Sequence, residues 1–404
     1  MNYDIIIIGG GAAGFFAAIN AAGFNPDASI LILERGKEVL TKVRISGGGR
    51  CNVTHAEFVP SELVRNYPRG EKELRGPFHS FMTGDTIAWF EERGIELKIE
   101  EDGRMFPVSD SSETIINCFL SEAQRLGIKL LKNHSVQNIT SNEDQWVIKT
   151  NKGDFSAEKL LVATGSNPKV WKLLENLGHS MESAVPSLFT FNIKDSRIKD
   201  LPGVSTFASV HIPGAGLESE GPLLITHWGV SGPAVLKLSA WGARALHEVN
   251  YKFPITINWL PSSNKETILE EILELKLKYA KQQVSKYAQF DLPKRLWRNL
   301  VKASGIEENE IWADLNRKKM DVLSEQLTSS QFNVDGKSTF KEEFVTAGGI
   351  KLAEVNFKTF ESKLQKNLYF AGEVLNIDAI TGGFNFQNAW TGGYLAAKGI
   401  TNKD

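Results

Sequence analysis

The sequence predicts an α/β fold on a buried parallel sheet, interrupted by an inserted β-rich unit, and three observations carry that expectation. Two short apolar runs, 4–8 and 29–33, flank a glycine turn and a helical stretch, and this strand–turn–helix–strand order demands a right-handed crossover between parallel strands. After Pro186 the pattern changes to short strand candidates broken by Pro and Gly, which favours antiparallel structure. Residues 344–404 then return to the opening pattern of a strand, a glycine-rich turn and a helix.

The elements follow in order. The run 5–8 is four consecutive isoleucines, the signature of a strand covered on both faces. Residues 12–22 have helical composition, with small residues toward the sheet, and 29–33 is a second buried strand. Helical patterns recur at 84–93 and 111–126, and strand-like segments at 128–138, 145–150 and 159–163. Residues 264–288, rich in Glu, Lys and Leu, predict a long helix, with two shorter ones starting near Leu292 and Glu307. Strand character returns at 331–334, before an Asp335-Gly336 turn. A strand at 368–371 and a helix running to about Lys398 complete the chain. The boundaries are therefore 1–187 and 344–404 for one domain and 188–343 for the insert.

Composition excludes several classes. A formal charge of −2 gives no general pull toward nucleic acid or anionic membrane, and two cysteines, Cys51 and Cys118, make no disulfide framework and suit a reducing, cytoplasmic compartment. The apolar stretch 5–23 lacks a basic leader and is cut by three glycines, so neither a signal peptide nor a membrane span fits it. No His/Cys spacing suits a metal and no G-x-S-x-G is present.

Gly9-Gly-Gly11-Ala12-Ala13-Gly14 is a G-x-G-x-x-G run that follows a strand and opens a helix, with Glu34 twenty residues on at the end of the second strand. In that context it is a dinucleotide fingerprint. Gly9 permits the tight turn, Gly11 lets a pyrophosphate reach the backbone, and Gly14 lets helix and strand pack closely. The helix N-terminus offers unpaired N–H groups and partial positive charge. Glu34, beside Arg35, is placed to accept from ribose hydroxyls.

Three further segments favour FAD over NAD as the dinucleotide. The loop 42–52 combines Gly47, Gly48, Gly49 and Cys51 with Lys42, Arg44, Ser46, Arg50 and Asn52, and its backbone donors suit a pyrophosphate, ribityl chain and flavin ring. Ala163-Thr164-Gly165 ends a strand and offers another close backbone approach. Gly372-Glu373 ends the last strand, and Gly382-Gly383-Phe384-Asn385 opens the last helix, whose N-terminus suits the flavin N1/C2=O edge where negative charge gathers on reduction.

With these motifs in place the chain resembles, over nearly its whole length, the BaiN/RdsA-type (YhiN-like) family of NAD(P)/FAD-dependent oxidoreductases, some described as aminoacetone-oxidase-like. The specific marks are 45–52 (ISGGGRCN), 226–233 (THWGVSGP), 346–350 (TAGGI) and 372–378 (GEVLNID) followed by 381–385 (TGGFN). The resemblance implies a two-part FAD domain with an inserted domain of β-barrel plus helices, and FAD contacts from the first and last of these segments, Asp378 included; Val136 is a further candidate for contact with the cofactor. Ser166-Asn-Pro-Lys replaces a longer glycine-rich stretch, and Asn376 stands where the family usually has Asp.

The activity this implies is FAD-dependent oxidoreduction, a hydride passing between NAD(P)H and a small organic substrate held where the two domains meet. Only one dinucleotide fingerprint is present, so the nicotinamide would bind transiently. Two alternatives stand beside it: an O2-using oxidase of an amine or amino-ketone, and an FAD-dependent RNA-modifying protein. The RNA alternative rests on the basic run Lys294, Arg295, Arg298 and Lys302, for which a solvated helix face is the commoner reading. His227, in a Gly/Pro-rich turn beside Trp228 and Ser231, is a candidate proton donor or a structural histidine. Arg104 is a candidate carboxylate binder or a surface ion pair. Cys51 reads as packing more readily than as a redox thiol, and Cys118 as core. A monomer or homodimer is expected.

Overall fold

The computed structural model describes residues 1–142, 145–339 and 345–402. The chain divides into two compact units, Met1–Val185 with Lys341–Asp404, and Pro186–Phe340. The second junction expected from the sequence, at 343/344, lies outside the described residues.

The first unit is built on β1 (Asn2–Ile8), α1 (Ala12–Phe24), β2 (Ile30–Leu33), α2 (Thr41–Gly49), β3 (Lys129–Leu131), β4 (Gly153–Val162), β5 (Leu368–Phe370) and α3 (Phe384–Thr401). Five strands run parallel in the order β3-β2-β1-β4-β5. Ile5 of β1 pairs with Ile30 on one side and Lys159 on the other. Ile5–Ile8 and all of β2 are buried, which is why these strands read as unbroken apolar runs rather than alternations. An antiparallel hairpin, Val136–Asn142 with Gln145–Thr150, extends the sheet from the first half of β4. This is a Rossmann-type α/β domain, its fingerprint turn lying between β1 and α1.

Helix α1 is buried on nearly all sides because α3 covers the face turned from the sheet. Phe16 packs among Phe81, Trp89, Phe119 and Trp390, with centroids 4.5–6.4 Å apart. Each such fully buried ring contributes about 1.5–3 kcal/mol of apolar burial. Gly392 and Gly393, which cost about 1 kcal/mol each in a helix interior, let α3 come close: a Cβ on Gly393 would sit 3.0 Å from Ala13 O.

In the second unit the described residues form a seven-stranded sheet, antiparallel at every ladder. Where the resemblance implies a barrel, no ladder among the described residues joins the end strands Ser330–Asp335 and Lys337–Ser338. These are successive parts of one segment bent at Gly336, whose N–H donates to Tyr251 O and whose C=O accepts from Asn192 N–H. Among the described residues the sheet thus curls back on itself at Gly336 without a sealing ladder. The long helix expected over 264–288 ends early, at Lys278. Residues 282–284 instead pair with 310–312, through Trp312 N–H to Gln282 O and Val284 N–H to Glu310 O, each 3.0 Å. Burying Val284 and Trp312 outweighs the helix propensity of the Lys/Gln-rich run. The helix expected near Glu307 begins at Arg317, where the Asn316 side chain accepts from Lys319 N–H. No helix among the described residues is long and apolar enough to cross a membrane.

Candidate functional site

The turn after β1 is shaped by its glycines. Gly9 has φ +115°, a conformation an L side chain resists, and a Cβ there would fall 2.4 Å from Ala163 O. A Cβ on Gly14 would fall 2.0 Å from Gly9 O, whereas one on Gly11 would meet nothing within 4 Å. The backbone is therefore tight against the sheet at Gly9 and Gly14 and open on its approach side at Gly11. Helix α1 starts at Gly11 with no capping side chain and no acid in its first turn, so the N–H groups of Ala12, Ala13 and Gly14 begin a helix with positive partial charge and no anionic partner of its own. That arrangement fits a phosphate.

Glu34 stands at the rim of this turn. Its Oε2 accepts from Gly10 N–H at 2.9 Å and its Oε1 from Gly36 N–H at 2.6 Å, which fixes the carboxylate and leaves each oxygen one further lone pair. Arg35 is exposed. Val136 heads its strand two residues after His134, whose N–H donates to Glu34 O. On the other flank, Ala163 N–H donates to Ile8 O at 2.8 Å. Thr164 Oγ1 is buried with no hydrogen-bond partner, a polar atom that a bound ligand would satisfy. Gly372 approaches Ala13, and Glu373 pairs with Lys42 of α2.

Several residues expected on the cofactor already have protein partners. Arg44 pairs with Glu113, and Arg50 lies over the Phe106 ring at 3.9 Å and pairs with Glu100 and Asp110. Both cations brace their own loop instead of standing free for a pyrophosphate. Asp378 is fully buried with both oxygens on Arg69, and the Asn385 amide latches the loop by accepting from Ala379 N–H and donating to Ala379 O. Arg104 donates to Glu100 and Asp102, at 3.1 and 2.7 Å, so its guanidinium is an ion pair of its own loop. Helix α2 loses helical geometry at Ser46–Gly48, where Ser46 Oγ turns back to Val43 O, and Gly47, Gly48 and Gly49 carry the chain to Cys51. The Cys51 thiol is fully buried, and burial pushes its pKa up to about 12, so it is no thiolate nucleophile at neutral pH. Cys118 is likewise pushed up, to about 11, by burial.

Helix α3 also starts on a glycine, Gly383, without a capping side chain. Contacts invisible to sequence reasoning hold its entry. Gln387 Oε1 accepts from Thr54 Oγ1 (2.6 Å) and Thr86 Oγ1 (3.0 Å), while its Nε2 donates to Thr391 Oγ1 (3.1 Å). Trp390 Nε1 donates to Val53 O and Tyr67 OH to Phe384 O. The segment 52–55 is thereby pinned to the first turn of α3, which carries Gly382, Gly383 and Phe384 with it. No local pattern marks this network, since Thr54 and Gln387 stand among other polar residues such as Asn52, His55, Asn385 and Asn388.

In the second unit, His227 and Trp228 are exposed, Trp228 at 59%. Their turn is closed by Thr226 Oγ1, which accepts from the N–H groups of Trp228 and Gly229, and Ser231 Oγ accepts from Thr190. The helix Lys294–Ala303 buries Leu296, Trp297, Leu300 and Val301 and exposes Lys294, Arg295, Arg298 and Lys302. No group of three or more His, Cys, Asp or Glu fit to hold a metal occurs among the described residues.

With this geometry in hand, the family model described as HI0933-like protein Rossmann domain matches residues 3–399. The chain is 30% identical to a ribosomal RNA dihydrouridine synthase of Haemophilus influenzae, over 98% of each chain. It is 27% identical to a 3-dehydro-bile acid delta(4,6)-reductase of Clostridium scindens, again over 98% of each. Among solved structures, 3-ketosteroid-delta4-(5alpha)-dehydrogenase of Rhodococcus jostii RHA1 superposes with a TM-score of 0.52 at 13% identity, covering 100% of this chain and 97% of that one, a likeness of fold.

Proposed function

The chain belongs to the HI0933-like Rossmann family and is an FAD-dependent oxidoreductase, and on that premise we propose that it reduces a carbon–carbon double bond conjugated to a carbonyl, with NAD(P)H as donor. The observation that carries this reading is the whole-length likeness to two relatives whose names share one chemistry. One removes ring double bonds from a 3-oxo compound, and the other makes a uridine with two added hydrogens. In the proposed reaction a hydride goes to the carbon β to the carbonyl and a proton to its neighbour.

FAD, when bound, supplies the hydride carrier. In this reading the N-terminus of α1 holds its pyrophosphate, Glu34 its ribose, and Ala163, Thr164, Gly165 and the entry of α3 its flavin half. Gly393 of α3 lies against α1 near Ala13. Gly383, on which α3 opens, is ten residues away, ~15 Å along the axis, so an extended dinucleotide can engage both helix N-termini. Lys42 and Glu373, paired beside Gly165 and Gly372, order the middle of that path. His227 is the proposed proton donor, its support being an exposed ring in a turn held closed by Thr226.

Anaerobic stopped-flow absorbance tests the donor first. NADH or NADPH should bleach the flavin rapidly, and a conjugated enone should then restore the colour. No bleaching by either nucleotide sinks the donor assignment, and peroxide formation in air would favour the oxidase alternative. His227→Ala should slow re-oxidation by the enone while retaining flavin, and equal rates would return His227 to a structural role.

The relative named for ribosomal RNA favours a second reading, in which the reduced ring is a uracil within RNA and the exposed cations of Lys294–Ala303 contact phosphates. Binding of ribosomal RNA fragments should then weaken steeply with salt and on Arg295→Ala/Arg298→Ala. Salt-independent behaviour would leave a small molecule as substrate.

A further inference from the structure

One peptide group at the entry of α3 is held at both ends by side chains of a single short segment. Its carbonyl, Gly382 O, lies 3.0 Å from His55 Nδ1. Its N–H, on Gly383, lies 3.0 Å from Asn52 Oδ1 in the amide orientation that satisfies both ends of Asn52, where Nδ2 donates to Thr54 O at 3.0 Å. The His55 ring has little freedom. It stacks on Phe384 with centroids 4.4 Å apart and planes 28° apart, and a Cβ on Gly103 would fall 2.6 Å from its Nε2. Its main chain is equally fixed, pairing with Arg104 and accepting from Thr83 Oγ1. Since a carbonyl oxygen only accepts, Nδ1 carries the proton. Burial holds the imidazole below its ordinary range, so the neutral Nδ1–H tautomer is the form present at neutral pH.

The peptide so held is intrinsically free to turn. Gly382 and Gly383 have φ of +129° and +98°, and with glycine on both sides little steric cost separates one peptide orientation from its opposite. Orientation is selected from outside, by Asn52 and His55.

We propose that His55, acting with Asn52, is a positioning residue that locks the Gly382–Gly383 peptide and so aims the uncapped first-turn N–H groups of α3 at the N1/C2=O edge of the flavin. This rests on the FAD reading above. A donor array fixed in advance stabilises the negative charge that reduction places at N1, so the lock sets the flavin's potential without His55 touching the reacting atoms.

Two substitutions separate the donor from the ring. His55→Asn keeps an N–H near the position of Nδ1, and His55→Phe keeps the ring stacked on Phe384 and removes the donor. On FAD-loaded protein, His55→Phe should lower the midpoint potential, alter the visible flavin spectrum and raise the FAD dissociation constant about tenfold, which is about 1.4 kcal/mol. His55→Asn should restore all three toward wild type. An unchanged potential and spectrum in folded His55→Phe would overturn the proposal. So would an Asn variant as impaired as the Phe variant, because ring packing would then be the cause. Should His55→Phe not fold, the nitrogen-15 spectrum of wild-type His55 decides: protonation at Nδ1 at pH 7.5 supports the lock, and the Nε2–H tautomer defeats it. A wild-type protein that takes up no FAD would remove the premise itself, an outcome distinct from an FAD-loaded protein indifferent to the Phe variant.

Discussion

Two of the helices that begin on glycine without a capping side chain, α1 at Gly11 and α3 at Gly383, are held by opposite means. The start of α1 is fixed mainly by close neighbours in sequence, β1 before it and the end of β2 through Glu34, with the end of β4 closing on it through Ala163. The start of α3 is fixed from more than 300 residues away, by Asn52, Thr54, His55 and Tyr67. A backbone-and-glycine device therefore serves one end, and a buried side-chain network serves the other. At the first, Gly9 and Gly14 admit no added atom; the second depends in addition on the hydrogen-bonding capacity of its side chains.

The sharpest way to break the first end is Gly9→Ala, which combines an unfavourable φ with a clash on Ala163 O. A loss of about 4 kcal/mol is expected, measured by denaturant unfolding, together with loss of FAD. Next is Gln387→Leu, which leaves the Thr54, Thr86 and Thr391 hydroxyls in a buried site without their shared partner. About 2–3 kcal/mol should be lost. ADP, which reports on the α1 end alone, should bind as before while FAD binds more weakly. If both ligands weaken equally by calorimetry, the two ends are not independent. Glu34→Gln is the reciprocal test: one charge-assisted acceptor becomes a donor, about 1–2 kcal/mol, and ADP and FAD should weaken together.

The smallest expected effect is one of pH. His55 has its folded-state pKa depressed, by burial first, with Gly382 O, Asp102 and Glu57 raising it and Arg104 lowering it. Its stabilising contribution is thus complete above the unfolded value near 6.5 and is lost as pH falls below that toward the folded value. Amide exchange at 384–387 should quicken relative to 12–15 between pH 7 and pH 5. Equal change at both helix starts would sever the link to His55.

The same contrast explains what the sequence made legible. The β1–α1–β2 unit and the place of Glu34 at its rim were readable because each rule involved, apolar run, glycine spacing and an acid twenty residues on, acts within a short window. Strands at 145–150 and 159–163 and the helix at 111–126 were likewise placed by local pattern. The protein partners of Asp378, Asn385, Arg44 and Arg50 were not, since a cation and a carboxylate look equally free until folding supplies Arg69, Ala379, Glu113 and Glu100. His55 drew no notice because nothing beside it in sequence marks it, and its partners lie at 103, 382 and 384. The overlong helix at 264–288 failed for a similar reason, a distant segment at 310–312 claiming residues whose propensity was helical.

The order of the parallel sheet also bears on how the chain is born. Strand β4 is bordered along Leu160–Val162 by β5, which leaves the ribosome roughly 200 residues later, ~10–40 s at ~5–20 residues per second. During that interval the nascent chain carries an apolar strand edge with no neighbour, the kind of template that invites pairing with another chain. The inserted unit, whose ladders all fall within its own stretch of sequence, can fold and leave the exit tunnel first. Completion of the dinucleotide domain is therefore a late event in synthesis, and premature termination before residue 368 leaves the β4 edge exposed for good.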